Sequence, residues 1–202
     1  MRKHLGVMLA GSALAILTFA AGAQQEAKDA KTTSLQVGDR APAFESKDAA
    51  GLTWKSADQV GKKLIVVYFY PGDFTPGCTA QAKKFQENMN KLYDQGAEVV
   101  GVSGDSTKTH ALFKETYKLT YTLVADEKGS LAKQFGVPVS KGADVKFRGP
   151  DKMLLEFKRE VTTARWTFIL GLDGKIVYKN TNVNPAKDTE QVEAFLKGVD
   201  KK

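Results

Sequence analysis

Residues 64–70 of the chain read LIVVYFY, a continuous run of β-branched, aliphatic and aromatic side chains. Such a run is typical of a strand that is buried on both faces. Pro71 ends the run, and a helix is predicted to begin a few residues later, with Thr75 as its N-cap and Pro76 at its first position. A buried strand followed at once by a helix indicates the start of a βαβ unit.

The alternation of strands and helices continues along the chain. The helix that begins at Pro76 has Phe85, Met89 and Leu92 on one face and is predicted to end at Gly96. Further elements follow: a strand at 98–103, a helix capped by Asp105 or Ser106, a strand at 121–124 and a short helix at 130–135.

The last part of the pattern is a hairpin and a helix. Strands at 166–170 and 175–178 flank Asp173-Gly174, which is a strong turn signal, and a helix is expected at 189–196. Together the elements predict a thioredoxin-like α/β domain, in which helices flank a central mixed sheet. The stretch 138–164 has mixed character, and within it 151–161 fits either a helix or a strand.

Composition excludes several classes of site. The chain has 202 residues, 42% of them hydrophobic, with one cysteine and two histidines. One cysteine rules out an internal disulfide, a Cys-x-x-Cys redox pair and a zinc ribbon, and so few Cys and His exclude a metal site built mainly from them. The net charge is +7, with lysines mixed among acidic residues, which does not favour a nucleic-acid surface. No cofactor is expected.

The N-terminus has the layout of a secretory signal peptide. Arg2 and Lys3 precede an uncharged stretch at 5–23, which ends in the small residues of a cleavage site. The alternative is an uncleaved membrane anchor, but alanine and glycine make the stretch only mildly apolar. We therefore expect a signal peptide at 1–23, a flexible leader at 24–34 and one domain at 35–200. The mature protein would be periplasmic or secreted, without stable membrane insertion.

Cys78 is the strongest candidate for a reactive residue. It lies in the first turn of the predicted helix, where the partial positive charge of the helix start favours thiolate over thiol. The strand-to-helix junction is also where α/β sheets place their ligand sites. The alternative is a small buried apolar side chain, which is the common fate of a free cysteine. An unpaired thiol in an oxidising compartment is prone to oxidation, so we expect it to be either buried or functional.

The residues around Cys78 resemble the active-site signature of the peroxiredoxins, Pro-x-x-x-Thr-x-x-Cys. Residues 75–82, TPGCTAQA, are similar to the bacterioferritin-comigratory-protein or PrxQ branch of the AhpC/TSA family. The resemblance covers about residues 35–199. Three further segments agree in order and spacing: GDRAPAF at 38–44, VSGDS at 102–106 with His110 and Phe113, and RWTF at 165–168.

The resemblance implies a thiol-dependent peroxidase. Cys78 would attack the peroxide and become a sulfenic acid. Thr75 would place its hydroxyl at the sulfur and the peroxide, Arg165 would stabilise the thiolate and polarise the peroxide, and Pro71 would shield the pocket. Each has a simpler alternative. Thr75 would be only a helix cap, Pro71 only a strand terminator, and Arg165 a surface ion-pair partner, with Arg159 as its competitor for the catalytic role.

The chain also departs from this branch. Lys83 occupies the position where many members carry a resolving cysteine, so the chain looks like a one-cysteine variant. An external thiol, either a small thiol or a thioredoxin-like protein, must then reduce the sulfenic acid, and this predicts a partly exposed Cys78. The protein is expected to be a monomer or a homodimer. His110 and Ser103 are interpreted as structural, and the long stretch 138–164 as a possible flap near the site.

Two alternatives to a peroxidase are compatible with a thioredoxin-like fold. The first is a non-enzymatic binding or chaperone module that kept the fold, against which the intact set of Thr75, Cys78 and Arg165 argues. The second is a thiol–disulfide reductase of thioredoxin type, which would need a second cysteine.

Overall fold

The structure is a computed structural model that describes residues 34–148 and 154–199. The expected signal peptide at 1–23 and the leader up to residue 33 lie outside the described residues. The strands, in chain order, are β1 (Glu45–Lys47), β2 (Thr53–Lys55), β3 (Leu64–Phe69), β4 (Ala97–Ser103), β5 (Thr122–Ala125), β6 (Val139–Lys141), β7 (Asp144–Arg148), β8 (Leu154–Lys158), β9 (Val161–Thr163), β10 (Trp166–Leu170) and β11 (Ile176–Asn180).

Helices connect and flank these strands, as the alternating pattern predicts. A short 3₁₀ turn (Ser56–Asp58) follows β2. The α-helices are α1 (Pro76–Glu87), α2 (Met89–Asp94), α3 (Thr107–Tyr117), α4 (Ser130–Gln134) and α5 (Asp188–Lys197).

A five-stranded mixed sheet lies at the centre, in the order β11-β10-β3-β4-β5. Strands β3, β4 and β5 are parallel, whereas β10 runs antiparallel to both β3 and β11. Trp166, at the start of β10, therefore pairs with Phe69, at the end of β3. This register brings the residues just before β10 to the edge of the sheet where α1 begins.

Strand β3 is buried on both faces, as its sequence predicts. All six of its residues are buried, and successive side chains alternate between two apolar clusters. Tyr68 points into the cluster that also contains Phe85 of α1 and Leu92 of α2. Phe69 points into the opposite cluster, with Phe135 at the end of α4. The first cluster packs α1 and α2 against one face of the sheet, and the second cluster covers the opposite face.

The helix predicted from Pro76 to Gly96 is wrong in one respect, because it breaks at Asn88. The backbone of Asn88 leaves the helical region, at φ −109° and ψ 8°, and α2 begins at the next residue. The Asn88 side-chain amide donates to the carbonyl of Lys84 at 3.0 Å, which satisfies an acceptor near the end of α1. Phe85 and Leu92 are buried in the same cluster on either side of the break.

The unassigned stretch 138–164 forms two antiparallel ribbons, one from β6 and β9 and one from β7 and β8. The described part of 151–161 is therefore strand rather than helix. The β7–β8 ribbon places Phe147 and Phe157 against Phe74, with ring centroids 4.2 and 5.2 Å apart. The ribbon thus packs on the loop that precedes Cys78, where a flap was expected.

Replacing Phe85 by alanine tests how α1 is anchored. Phe85 is fully buried and stacks on Tyr68 with 4.7 Å between ring centroids. We expect Phe85→Ala to lower the free energy of unfolding by about 3–5 kcal/mol, because a large buried ring leaves a cavity. Urea unfolding followed by circular dichroism measures the change. Leu52, whose exposed fraction is 67%, gives the control: Leu52→Ala should change stability by less than about 0.5 kcal/mol, and equal losses in the two variants would contradict this view of the core.

Candidate active site

Cys78 lies in the first turn of α1, three residues after the N-cap Thr75. Its exposed fraction is only 1%, so the expectation of a partly exposed thiol is wrong. It belongs to the same buried apolar cluster as Tyr70, Phe74 and Ala82. The thiol is therefore a buried group at the start of a helix.

Arg165 forms a hydrogen bond with the thiol sulfur. Its Nη2 donates to Sγ of Cys78 at 3.1 Å, and its Nη1 donates to Oε1 of Gln81. Arg165 directly precedes β10, and the pairing of Trp166 with Phe69 carries it to the start of α1. The structure therefore brings together Cys78 and Arg165, which are 87 positions apart in the sequence.

Arg159, the competing arginine, lies elsewhere. It is 5% exposed, and its Nε and Nη2 donate to Oδ1 of Asp105 at 2.9 and 2.7 Å. Its Nη2 also donates to the carbonyl of Asp73 at 3.2 Å, and the Asp73 amide donates to Asp105 Oδ2 at 2.8 Å. A Cβ on Gly72 would lie 1.9 Å from Cζ of Arg159, so only glycine fits at this position. Arg159 holds the loop before Cys78 rather than contacting the sulfur.

Thr75 and Pro71 occupy this loop and the end of β3. Thr75 has the extended backbone of an N-cap, but its hydroxyl does not cap the helix. The hydroxyl instead donates to the carbonyl of Gly72 at 3.1 Å, so capping does not explain this side chain. Pro71 is half-buried and lies two residues beyond Phe69, the last residue of β3.

Phe74 has an unusual backbone within the same loop. Its φ of +61° lies in the left-handed region, which is costly for a residue with a bulky side chain. Its ring is held by contacts with Phe113, Phe147 and Phe157. Packing from α3 and from the β7–β8 ribbon therefore fixes the loop conformation.

A second set of polar residues lies behind Arg165 and was missed by the sequence analysis. Gln81 is fully buried, and its Nε2 donates to Oδ2 of Asp188 at 2.6 Å. Thr167 Oγ1 donates to the same oxygen at 2.9 Å. Burial raises the pKa of Asp188, and these two hydrogen bonds and the charge of Arg165 oppose that rise. The spacing of Gln81 from Cys78, three positions along a helix, was a usable signal, but nothing local pointed to Asp188.

His110 forms a buried ion pair with Asp73 rather than contacting Cys78. Its Nδ1 lies 2.8 Å from Asp73 Oδ2, and its Nε2 donates to the carbonyl of Val124 at 3.2 Å. The Tyr70 hydroxyl donates to the other oxygen of Asp73 at 2.7 Å. Burial lowers the pKa of His110, but the Asp73 carboxylate more than offsets this, so the pKa is raised above its ordinary value. This pair supports the structural interpretation of His110.

No three His, Cys, Asp or Glu side chains converge on a possible metal site within residues 34–148 and 154–199. In the same part of the chain, no helix combines the length and the apolar character that crossing a membrane requires.

The sequence profile of the AhpC/TSA family matches residues 37–179. The chain belongs to the AhpC/TSA family. It is similar to the chloroplastic peroxiredoxin Q of Suaeda salsa, with 37% identity over 164 residues, which are 80% of this chain and 68% of that protein. It spans only about half the length of other chloroplastic relatives, 54% of the Sedum lineare protein and 47% of the Populus jackii protein.

Solved structures agree with this assignment. The peroxidoxin BcpB of Mycobacterium tuberculosis has a TM-score of 0.68 and 27% identity, covering 82% of this chain and 99% of that one. The bacterioferritin comigratory protein of Xanthomonas campestris, a protein with alkyl peroxide reduction activity, has a TM-score of 0.64 and 26% identity, covering 81% and 96%. The thioredoxin-like α/β fold and the PrxQ branch are thereby confirmed, and the single cysteine marks a one-cysteine member.

The His110–Asp73 pair predicts a pH dependence. A folded-state pKa above the unfolded value of about 6.5 means that the pair contributes fully below that pH. The contribution is lost as pH rises through the folded value, with a slope of at most about 1.4 kcal/mol per pH unit. Nuclear magnetic resonance should show His110 titrating above 6.5, and urea unfolding should show stability falling from there upward. A His110 imidazole that titrates below 6.5 would contradict the ion pair.

Proposed function

We propose that this chain is a thiol-dependent peroxidase that reduces hydrogen peroxide or organic hydroperoxides through Cys78. The observation that carries the proposal is the 3.1 Å hydrogen bond from Arg165 Nη2 to Sγ of the chain's single cysteine. The thiolate is the nucleophilic form of a cysteine, and this contact places a fixed positive charge at the sulfur that the reaction oxidises. Membership of the AhpC/TSA family and the alkyl peroxide reduction activity of the Xanthomonas campestris relative support the same reaction.

The first step transfers one oxygen to sulfur. The thiolate attacks the terminal oxygen of the peroxide, an S–O bond forms, and the O–O bond breaks. Sulfur is oxidised by two electrons to a sulfenic acid. The other oxygen leaves as hydroxide or alkoxide and takes up a proton, giving water or an alcohol. Arg165 stabilises the charge as it moves from sulfur to the leaving oxygen.

Thr75 and Pro71 shape the pocket in this proposal. The Thr75 hydroxyl donates a hydrogen bond to the Gly72 carbonyl. Its oxygen can therefore accept a hydrogen bond from the peroxide. Pro71 shields the pocket at the end of β3 and lacks an N–H that would bind competing water.

Regeneration needs an external thiol, because Lys83 stands where a resolving cysteine would be and the chain has no other cysteine. One thiol attacks the sulfenic sulfur and releases water, and a second thiol reduces the mixed disulfide. The reductant is a small thiol or a thioredoxin-like protein. Because Cys78 is buried in the structure, the start of α1 must open locally before a thiol can reach the sulfur. A monomer or a homodimer suffices for this cycle.

A secretory signal peptide at 1–23 places the mature protein in the periplasm or outside the cell, in contrast to the chloroplastic relatives. A charged start, an uncharged stretch and small residues before Gln24 support this location. N-terminal sequencing of the protein recovered from a periplasmic extract tests it: a chain that starts at Met1 would overturn cleavage.

Cys78→Ser tests the peroxidase. We expect peroxide consumption with dithiothreitol to disappear in the variant, because serine is not a nucleophile of comparable strength at neutral pH. Mass spectrometry of the wild type after one equivalent of peroxide should show one added oxygen on Cys78. Equal consumption by the two proteins would overturn the proposal.

Arg165→Met tests the cation at the sulfur. We expect the rate constant for reaction with peroxide to fall by about 10²–10³-fold, the usual cost of removing one donor that stabilises developing charge. Stopped-flow fluorescence measures the rate. Arg40, an exposed arginine that donates to the carbonyl of Asp173, is the matched control, and Arg40→Met should react like the wild type.

A further inference from the structure

Asp188 is a buried carboxylate that the proposed reaction does not use directly. It is the first residue of α5, it is fully buried, and it lies 107 positions from Gln81. Oδ2 accepts hydrogen bonds from Gln81 and Thr167, whereas Oδ1 has no hydrogen-bond partner among the described residues. A buried carboxylate with one unpartnered oxygen is costly. Another contribution of Asp188 to structure or function must offset this cost.

A carboxylate differs from other polar groups because it only accepts hydrogen bonds. The amide of Gln81 has one donating and one accepting end, and both ends are bonded inside the protein. Because Asp188 accepts, the NH₂ of Gln81 must face it, and the carbonyl oxygen of Gln81 must then face Arg165. With the amide reversed, its NH₂ would meet the guanidinium, and two donors would oppose each other.

We propose that Asp188 is a positioning residue, which holds the Gln81 amide so that its oxygen anchors Arg165 against Sγ of Cys78. Three consecutive hydrogen bonds link Asp188 to Gln81, Gln81 to Arg165, and Arg165 to the sulfur. This inference rests on the proposed peroxidase function. The competing explanation is that Asp188 serves only α5, since a negative charge at a helix N-terminus is stabilising.

Asp188→Asn removes the constraint with almost no change of shape. The new amide can donate as well as accept, so Gln81 is no longer held in one orientation. We expect the rate constant for peroxide to fall on the order of 10- to 100-fold, as small misplacements of a catalytic group do. Glu190→Gln is the matched control, because it removes the other acidic charge from the first turn of α5 at an exposed position. It should keep a rate near that of the wild type.

A reciprocal exchange separates positioning from a purely structural role. In the double variant Gln81→Glu with Asp188→Asn, the acceptor-only group moves to position 81 and the amide to position 188. The new carboxylate can only accept from Arg165, and the new amide can donate to it. We expect the double variant to recover most of the rate that Asp188→Asn loses. A role in α5 alone predicts no recovery, because the exchange does not restore the charge at the helix start.

The outcomes are distinguishable from a failure of the proposed function. If the wild type consumes no peroxide, the peroxidase assignment fails. If the wild type is active and Asp188→Asn keeps its rate, or the double variant shows no recovery, the positioning role is overturned. Circular dichroism establishes that each variant is folded. Should Asp188→Asn not fold, Gln81→Met carries the test, since it leaves Asp188 bonded to Thr167. A wild-type rate in Gln81→Met would overturn the inference.

Discussion

The hydrogen bond between Arg165 and Cys78 is the contact on which the rest of the site depends. Cys78 is buried in an apolar cluster, where a polar partner for its sulfur must come from the protein rather than from water. The guanidinium of Arg165 is that partner, at 3.1 Å from the sulfur. Such a contact is useful only if the arginine is held still, since a long side chain otherwise pays entropy to adopt one position. Gln81 and the start of β10 provide that restraint.

Two arginines, Arg159 and Arg165, have different roles around the loop that precedes Cys78. Arg159 is bonded to the Asp105 carboxylate and to the loop carbonyl at Asp73, so its donors are used to fix the backbone before Cys78. Arg165 directs its donors to the sulfur and to Gln81. The same residue type thus has a structural role in one place and the proposed catalytic role in the other. The two side chains are chemically identical, so their different roles follow from their different hydrogen-bond partners.

Much of the fold was predictable because the patterns are local. The run at 64–70 identified β3, and Pro76 identified the start of α1. The break at Asn88 was not predicted, since the apolar spacing continues across it, and the contact found there joins the Asn88 side chain to the backbone carbonyl of Lys84, four residues earlier. The ribbons within 138–164 were also missed, because their alternation is short. In the site, the motif pointed to Cys78 and Arg165, but Gln81 was overlooked despite its position one turn from the cysteine.

The sequence by itself determined the reacting atom and the limits of its chemistry: one cysteine, placed at a helix start, with no second thiol to resolve it. It also determined the family, because the motif around Cys78 is contiguous. Only the tertiary structure decided that the thiol is buried, which arginine reaches it, and that Asp188 stands behind that arginine. Those facts depend on strand register and on contacts across 87 and 107 positions, and distances of that kind are set by packing rather than by any local pattern.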